Sequence, residues 1–284
     1  MDFVKMHGLG NDFVLVDLRA RGQDRSDAAW AELATRLCDR HFGIGADGVL
    51  LALPSTVADV GMRILNADGS EAEMCGNGIR CLARYVRDEG QVRRLAEGGP
   101  LRVETLAGVL ELTFPAADAV RVDMGPPRLA GRDVPIAVDG EPVLDHPLQV
   151  DGHALRVSAV SMGNPHAIAF FEPEALAALP LHELGPAVEH HPLFPRRTNF
   201  EAVALTSRHS AQVRVWERGA GPTLACGTGA CAVAVAGILR GDLASPVAVT
   251  LPGGTLEIEW ERGGHVYMTG PATYVFRGTW LGEA

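Results

Sequence analysis

The chain has 284 residues, 47% hydrophobic and 21% charged, with a formal net charge of −10. That composition fills a core and excludes a disordered chain, and the length suits two domains of about 140 residues each. The acidic balance argues against an electrostatic grip on nucleic acid or on anionic lipid.

In chain order, the opening MDFVKMHGLGND lacks the apolar stretch and cleavage site of a signal peptide. No apolar run approaches the ~20 residues needed to span a bilayer, so a cytoplasmic protein with no membrane partner is expected. Short runs rich in Val, Leu and Ile, bounded by Gly, Pro or Asp, predict strands over 13–18, 48–53, 62–66, 101–105 and 109–114. Helices are predicted over 28–40 and 76–89; in the latter Ile79, Leu82, Ala83 and Val86 form one apolar stripe. The Pro- and Gly-rich stretch 115–135 marks a boundary. Beyond it come strands over 157–160, 167–171, 201–204, 211–216, 247–251 and 256–260, with helices over 173–179 and 228–239. The last of these helices is apolar all round, as an enclosed helix is. Strands dominate without alternating strictly with helices, which predicts an α+β class.

The chain also repeats itself. Arg63 to Gly78 reads RILNADGSEAEMCGNG, and 151 positions later Arg214 to Gly229 reads RVWERGAGPTLACGTG. Gly10-Asn11-Asp12-Phe13 is echoed at Gly163-Asn164-Pro165-His166, at an offset of 153. Two related halves about a pseudo-twofold axis are expected.

Each half carries Cys-Gly-x-Gly where a Gly-rich loop enters a helix, at Cys75 and Cys226. Unpaired N–H groups and the helix dipole favour negative charge there. They can lower a thiol's pKa below about 8.5. The amides of Gly76, Asn77, Gly227 and Thr228 can also hold a carboxylate. Thiols on opposite sides of a cleft suit inversion of a carbon bearing a hydrogen: one removes the proton and the other returns one to the opposite face. Five cysteines without Cys-x-x-Cys spacing predict neither a disulfide framework nor a metal site, and Cys38, Cys81 and Cys231 read as packing residues. Lysine occurs once, at Lys5, outside any Schiff-base or Walker setting, so neither pyridoxal phosphate as a cofactor nor a Walker nucleotide loop is expected. Gly43 to Gly48 fits GxGxxG but precedes a strand rather than a helix, and the dinucleotide reading fails.

The segments MHGLGNDFVLVD, RHFGIGADGVL, NADGSEAEMCGNGIRC, GNPHAI, RTNFEAV and WERGAGPTLACGTGACA together resemble the diaminopimelate epimerase family. The resemblance implies two similar halves, each a mixed sheet wrapped around a central helix. These would span residues 1–118 and 119–265, with 266–284 packing back on the N-terminal half. It implies a cofactor-independent, two-thiol interconversion of LL- and meso-diaminopimelate, in lysine and cell-wall precursor synthesis, by a homodimer acting on a small amino acid. In that likeness Cys75 and Cys226 are the acid/base pair. His166 and Glu217 tune them, and Glu217 also contacts substrate. Asn11, Asn66, Asn164, Asn199 and Arg218 hold the substrate, while Gly76, Asn77, Gly227 and Thr228 cradle its carboxylate. Some relatives carry Gln where this chain has Gly48, so Asp47 and Gly48 are left out of the site. Other readings of the two motifs are a racemase of proline or a related amino acid, a thiol redox protein, and a non-catalytic amino-acid-binding protein.

Overall fold

The computed structural model describes residues 1–20, 22, 25–90 and 92–282. Contacts divide the chain into two compact units, Met1–Val122 joined by Gly270–Ala284, and Asp123–Thr269. Of the expected C-terminal segment 266–284, residues 283 and 284 lie outside the described residues.

The elements run β1 (Asp2–Gly8), β2 (Asn11–Asp17), α1 (Asp27–Cys38), β3 (Gly48–Leu53), β4 (Val60–Asn66), β5 (Glu71–Ala72), α2 (Gly76–Asp88), α3 (Arg93–Ala96), β6 (Leu101–Thr105), β7 (Gly108–Thr113) and β8 (Ala119–Asp123). They continue with β9 (Val143–Val150), β10 (His153–Ser161), β11 (Pro165–Phe171), α4 (Pro173–Ala178), α5 (Leu181–Glu189), β12 (Asn199–Ser207), β13 (Ser210–Glu217), β14 (Gly221–Thr223), α6 (Gly227–Arg240), β15 (Val247–Leu251), β16 (Gly254–Trp260), β17 (Val266–Pro271) and β18 (Thr273–Thr279).

In the first unit β18, β1, β2, β3, β4, β6, β7 and β8 pair in that order. All pairs are antiparallel except β2 with β3 and β4 with β6. In the second, β9, β10, β11, β12, β13, β15, β16 and β17 follow the same scheme, parallel only at β11 with β12 and β13 with β15. The sequence repeat is therefore a repeat of topology, and the class is α+β. A parallel step needs a crossover. In each unit a helix segment supplies both: α1 and α2 in the first, α4–α5 and α6 in the second. The second crossover helix is the one that Cys75 or Cys226 opens.

Helices on both faces explain the near-continuous apolar strands GVLLAL and NFEAVAL. On β3, Val49 and Leu51 pack with Trp30, Leu33 and Leu37 of α1, while Leu50 lies over Gly78 of α2. On β12, Phe200, Ala202 and Ala204 pack with Leu181, Leu184 and Val188 of α5. Ile79, Leu82, Ala83 and Val86 of α2 are fully buried, as are Ala230 to Ala236 of α6.

The helix expected over 28–40 stops at Cys38, because the Asp39 carboxylate turns to accept the N–H groups of His41 and Phe42. The boundary stretch 115–135 contains β8, and α5 forms despite an internal Pro186. No described helix is long and apolar enough to cross a membrane.

Candidate active site

In the first unit β4 ends at Asn66, the chain turns through Gly69 at φ +83°, and β5 leads to Cys75. Cys75 is extended (φ −138°) and caps α2, so the amides of Gly76 and Asn77 sit in the first turn, where helical N–H groups lack intrahelical acceptors. Behind the thiol runs a hydrogen-bond chain of fixed polarity. Arg80, buried, can only donate, and gives Nη2–H to Asn77 Oδ1 at 2.9 Å. Asn77 Nδ2 donates to Asn11 Oδ1 at 3.1 Å, and Asn11 Nδ2 donates to Asp47 Oδ2 at 2.8 Å. The Asn11 carbonyl is thereby presented to Cys75, with Sγ at 3.8 Å. Asp47, left out of the site on sequence grounds, and Arg80, unremarked there, are the two ends that orient this chain. Asn66 stands at the exposed end of β4, its amide donating to Ser70 Oγ at 2.9 Å. Gly48 faces Asn66 across β3 and β4, and a Cβ there would meet Leu65 O at 2.8 Å.

The single lysine is committed elsewhere: the Lys5 ammonium pairs with Asp12 and donates to Gly45 O. Burial opposes ionisation of Asp12, but Arg40 and Lys5 outweigh it and hold the carboxyl down at about 2.

In the second unit Cys226, buried and extended, caps α6. Its Sγ accepts the Gly229 N–H at 3.3 Å and lies 3.6 Å from Thr228 Oγ1. Asn164 Nδ2 donates to that hydroxyl oxygen at 3.2 Å, and Asn164 Oδ1 is 3.0 Å from His166 Nε2. His166 Nδ1 lies 2.7 Å from Glu201 Oε1, both side chains fully buried. Asn199 Nδ2 donates to Pro165 O, and its Oδ1 accepts the Arg218 N–H at 2.8 Å. The Arg218 guanidinium donates to Arg196 O at 3.1 Å. Glu217 accepts from the Thr223 hydroxyl, and burial pushes its carboxyl above the usual range, with the Glu201 charge adding to the effect.

One expectation is corrected. The helix terminus does not lower the Cys226 thiol: burial, then the carboxylates of Glu217 and Glu201, push it well above an ordinary cysteine. The Thr228 hydroxyl and the Gly229 amide pull the other way and are outweighed, because removing a thiolate from water costs more than two local donors return. Glu201, read as an ordinary strand residue, belongs to this site. Cys38, Cys81 and Cys231 are buried and unbridged. Among the described residues no group of three or more His, Cys, Asp or Glu could hold a metal ion.

The two units thus each present a thiol at a helix N-terminus with an asparagine beside it. Solved structures share this architecture. A probable proline racemase from Agrobacterium radiobacter superimposes with TM-score 0.69 at 15% identity, covering 99% of this chain and 92% of that one. A phenazine biosynthesis protein of the PhzF family from Bacillus anthracis gives 0.67 at 17%, covering 98% of both. These likenesses define the class by its fold alone, one α+β unit stated twice. Within it, the diaminopimelate epimerase family model matches residues 3–130 and 158–275. Diaminopimelate epimerases of Desulfitobacterium hafniense and Moorella thermoacetica are 53% and 54% identical, over 100% and 98% of this chain and 99% and 98% of theirs. The chain belongs to the diaminopimelate epimerase family.

Proposed function

We propose that the chain interconverts LL- and meso-diaminopimelate in the cytoplasm, without a cofactor, with Cys75 and Cys226 as its acid/base pair. The observation that carries this reading is the repeat itself: the same crossover helix in each unit is capped by a cysteine. The substrate α-carboxylate binds the first-turn amides of Gly76, Asn77, Gly227 and Thr228, which stabilise the carbanion that forms. One thiolate takes the α-proton and becomes a thiol. The carbon becomes planar, and the second thiol gives its proton to the opposite face and becomes the thiolate. Burial keeps the Cys226 thiol protonated, which makes it the donor when it enters the cycle. The Asn11 carbonyl beside Cys75, and His166 and Glu217 in the second unit, position these thiols and the α-amine. Asn66, Asn164, Asn199 and Arg218 read the distal amine and carboxylate. A substrate charged at both ends needs such partners, because an unpaired buried charge is costly.

Turnover of LL-diaminopimelate in D2O places deuterium at the inverted α-carbon, whereas proline offered alongside is not racemised. Cys75→Ala and Cys226→Ala each abolish turnover and leave the fold intact; retention of most activity by either variant refutes the two-thiol scheme. A homodimer is proposed with it, supported by the exposed Val275 and Phe276 on β18, which pairs with β1. Light scattering at twice the chain mass tests it.

A further inference from the structure

We propose that Glu201 is a positioning residue, whose carboxylate fixes the His166 ring so that it orders Asn164 and Thr228 against the Cys226 sulfur. The inference rests on the catalytic reading of Cys226 and extends it to a residue that neither the motifs nor the relatives' names single out.

The repeat supplies the argument. In the first unit Phe13 of β2 stands opposite Gly48 of β3, and two residues on, Leu50 lies over Gly78 of α2. In the second, His166 of β11 stands opposite Asn199 of β12, and two residues on, Glu201 lies over Gly229 of α6. Phe13 and Leu50 are buried, and so are His166 and Glu201. The architecture is therefore satisfied at these two places by an apolar pair, and in the second unit the same places hold an imidazole and a carboxylate. Burying that pair works against stability, the more so because Glu201 Oε2 has no hydrogen-bond partner among the described residues. A group held in the core at such a cost, where leucine serves the other half, is explained by what it does to its neighbours. From Glu201 the contacts run without a break: Oε1 to His166 Nδ1, His166 Nε2 to Asn164 Oδ1, Asn164 Nδ2 to Thr228 Oγ1, and Thr228 Oγ1 to Cys226 Sγ. The first unit presents a carbonyl to Cys75, and the second presents a hydroxyl, an amide and the Glu217 carboxyl to Cys226. Glu201 anchors this difference between the two thiols.

The test is a cycle built on the first unit's own residues: Glu201→Leu, His166→Phe, and the two together. Each single variant lowers kcat by about 100-fold, the loss typical of a misplaced reacting group. The double variant is no worse than the weaker single, because the residues act as one unit. Glu201→Gln, which keeps an oxygen for Nδ1–H, recovers about tenfold over Glu201→Leu. Iodoacetamide labelling, mapped by mass spectrometry, shows the pH profile of Cys226 moved in the Glu201 variants and that of Cys75 unmoved. A Glu201→Leu enzyme within about threefold of the parent kcat overturns the proposal, as do multiplicative losses in the double variant, an unmoved Cys226 profile, or a double variant that fails to fold. If the parent itself fails to epimerise diaminopimelate, the functional reading falls, and the labelling profiles still decide the role of Glu201.

Discussion

Gly229→Ala is the sharpest probe of the Cys226 site. A Cβ at 229 would lie 2.7 Å from Glu201 Oε1 and 3.2 Å from Cys226 Sγ. A carbon–oxygen contact needs about 3.3 Å, so the carboxylate or the helix must give by about 0.5 Å, and β12 and α6 are packed solid around it. Alanine is favoured over glycine inside a helix by about 1 kcal/mol. Overpacking a filled core costs about 1–3 kcal/mol, so the net loss is at most about 2 kcal/mol, a few degrees in Tm. Catalysis suffers more than stability, since a shifted sulfur loses about 100-fold in kcat. Gly78→Ala in the first unit is the matched control. There the Cβ meets Leu50 Cδ2 at 3.0 Å, a methyl that can turn away, with Ile64 Cδ1 at 3.4 Å and Cys75 Cβ at 3.6 Å in ordinary contact, and the kcat loss stays under about tenfold. Deuterium incorporation and thermal melts on both variants make the measurement. A Gly229→Ala enzyme with parental kcat, or equal losses in the two variants, would show that the crowding of Glu201 and Cys226 has no bearing on turnover.

Two further predictions concern pH. Asp12 is held at about 2 in the folded chain against 3.8 unperturbed, so its contribution is present above pH 4 and is lost as pH falls toward 2. After discounting for solvent exposure this amounts to about 1 kcal/mol, read from urea melts between pH 5 and 2.5 and absent in Asp12→Asn. At the other extreme burial pushes Cys81 up to about 12 from 9.0, so its contribution is full below pH 9 and is lost as pH rises. By pH 10.5 the loss is about 2 kcal/mol, and Cys81→Ala flattens the alkaline limb of the stability profile.

Much of the fold is legible because the chain states it twice. β3 and β15 begin and end where short apolar runs meet glycine or proline, and both cysteine-capped helices start at their Gly-x-Gly. β1 is less legible: Lys5 and His7 interrupt its apolar pattern, and its order comes from pairing with β2 and with β18, nearly the whole chain away. β9 likewise carries Asp145, His146 and Pro147 and is held by β10. Long-range pairing of this kind leaves little local trace.

The site divides in the same way. The placement of Cys75 and Cys226 at helix N-termini follows from the motif alone, but the protonation of Cys226 does not. It depends on how deeply the sulfur is buried and on which carboxylates surround it, and both are tertiary facts. Glu201 lies between these cases. Taken alone, one glutamate in NFEAVAL reads as the polar face of a strand. At the offset of 151 it aligns with Leu50, as Gly229 aligns with Gly78. A buried leucine in one half and a glutamate in the other is a departure from symmetry at a core position. In a duplicated fold whose two thiols are proposed to act as acid and base in turn, such departures mark where the halves differ. Phe13 against His166 and Leu50 against Glu201 are two such departures on neighbouring strands, and His166 and Glu201 touch each other beside the Cys226 helix terminus.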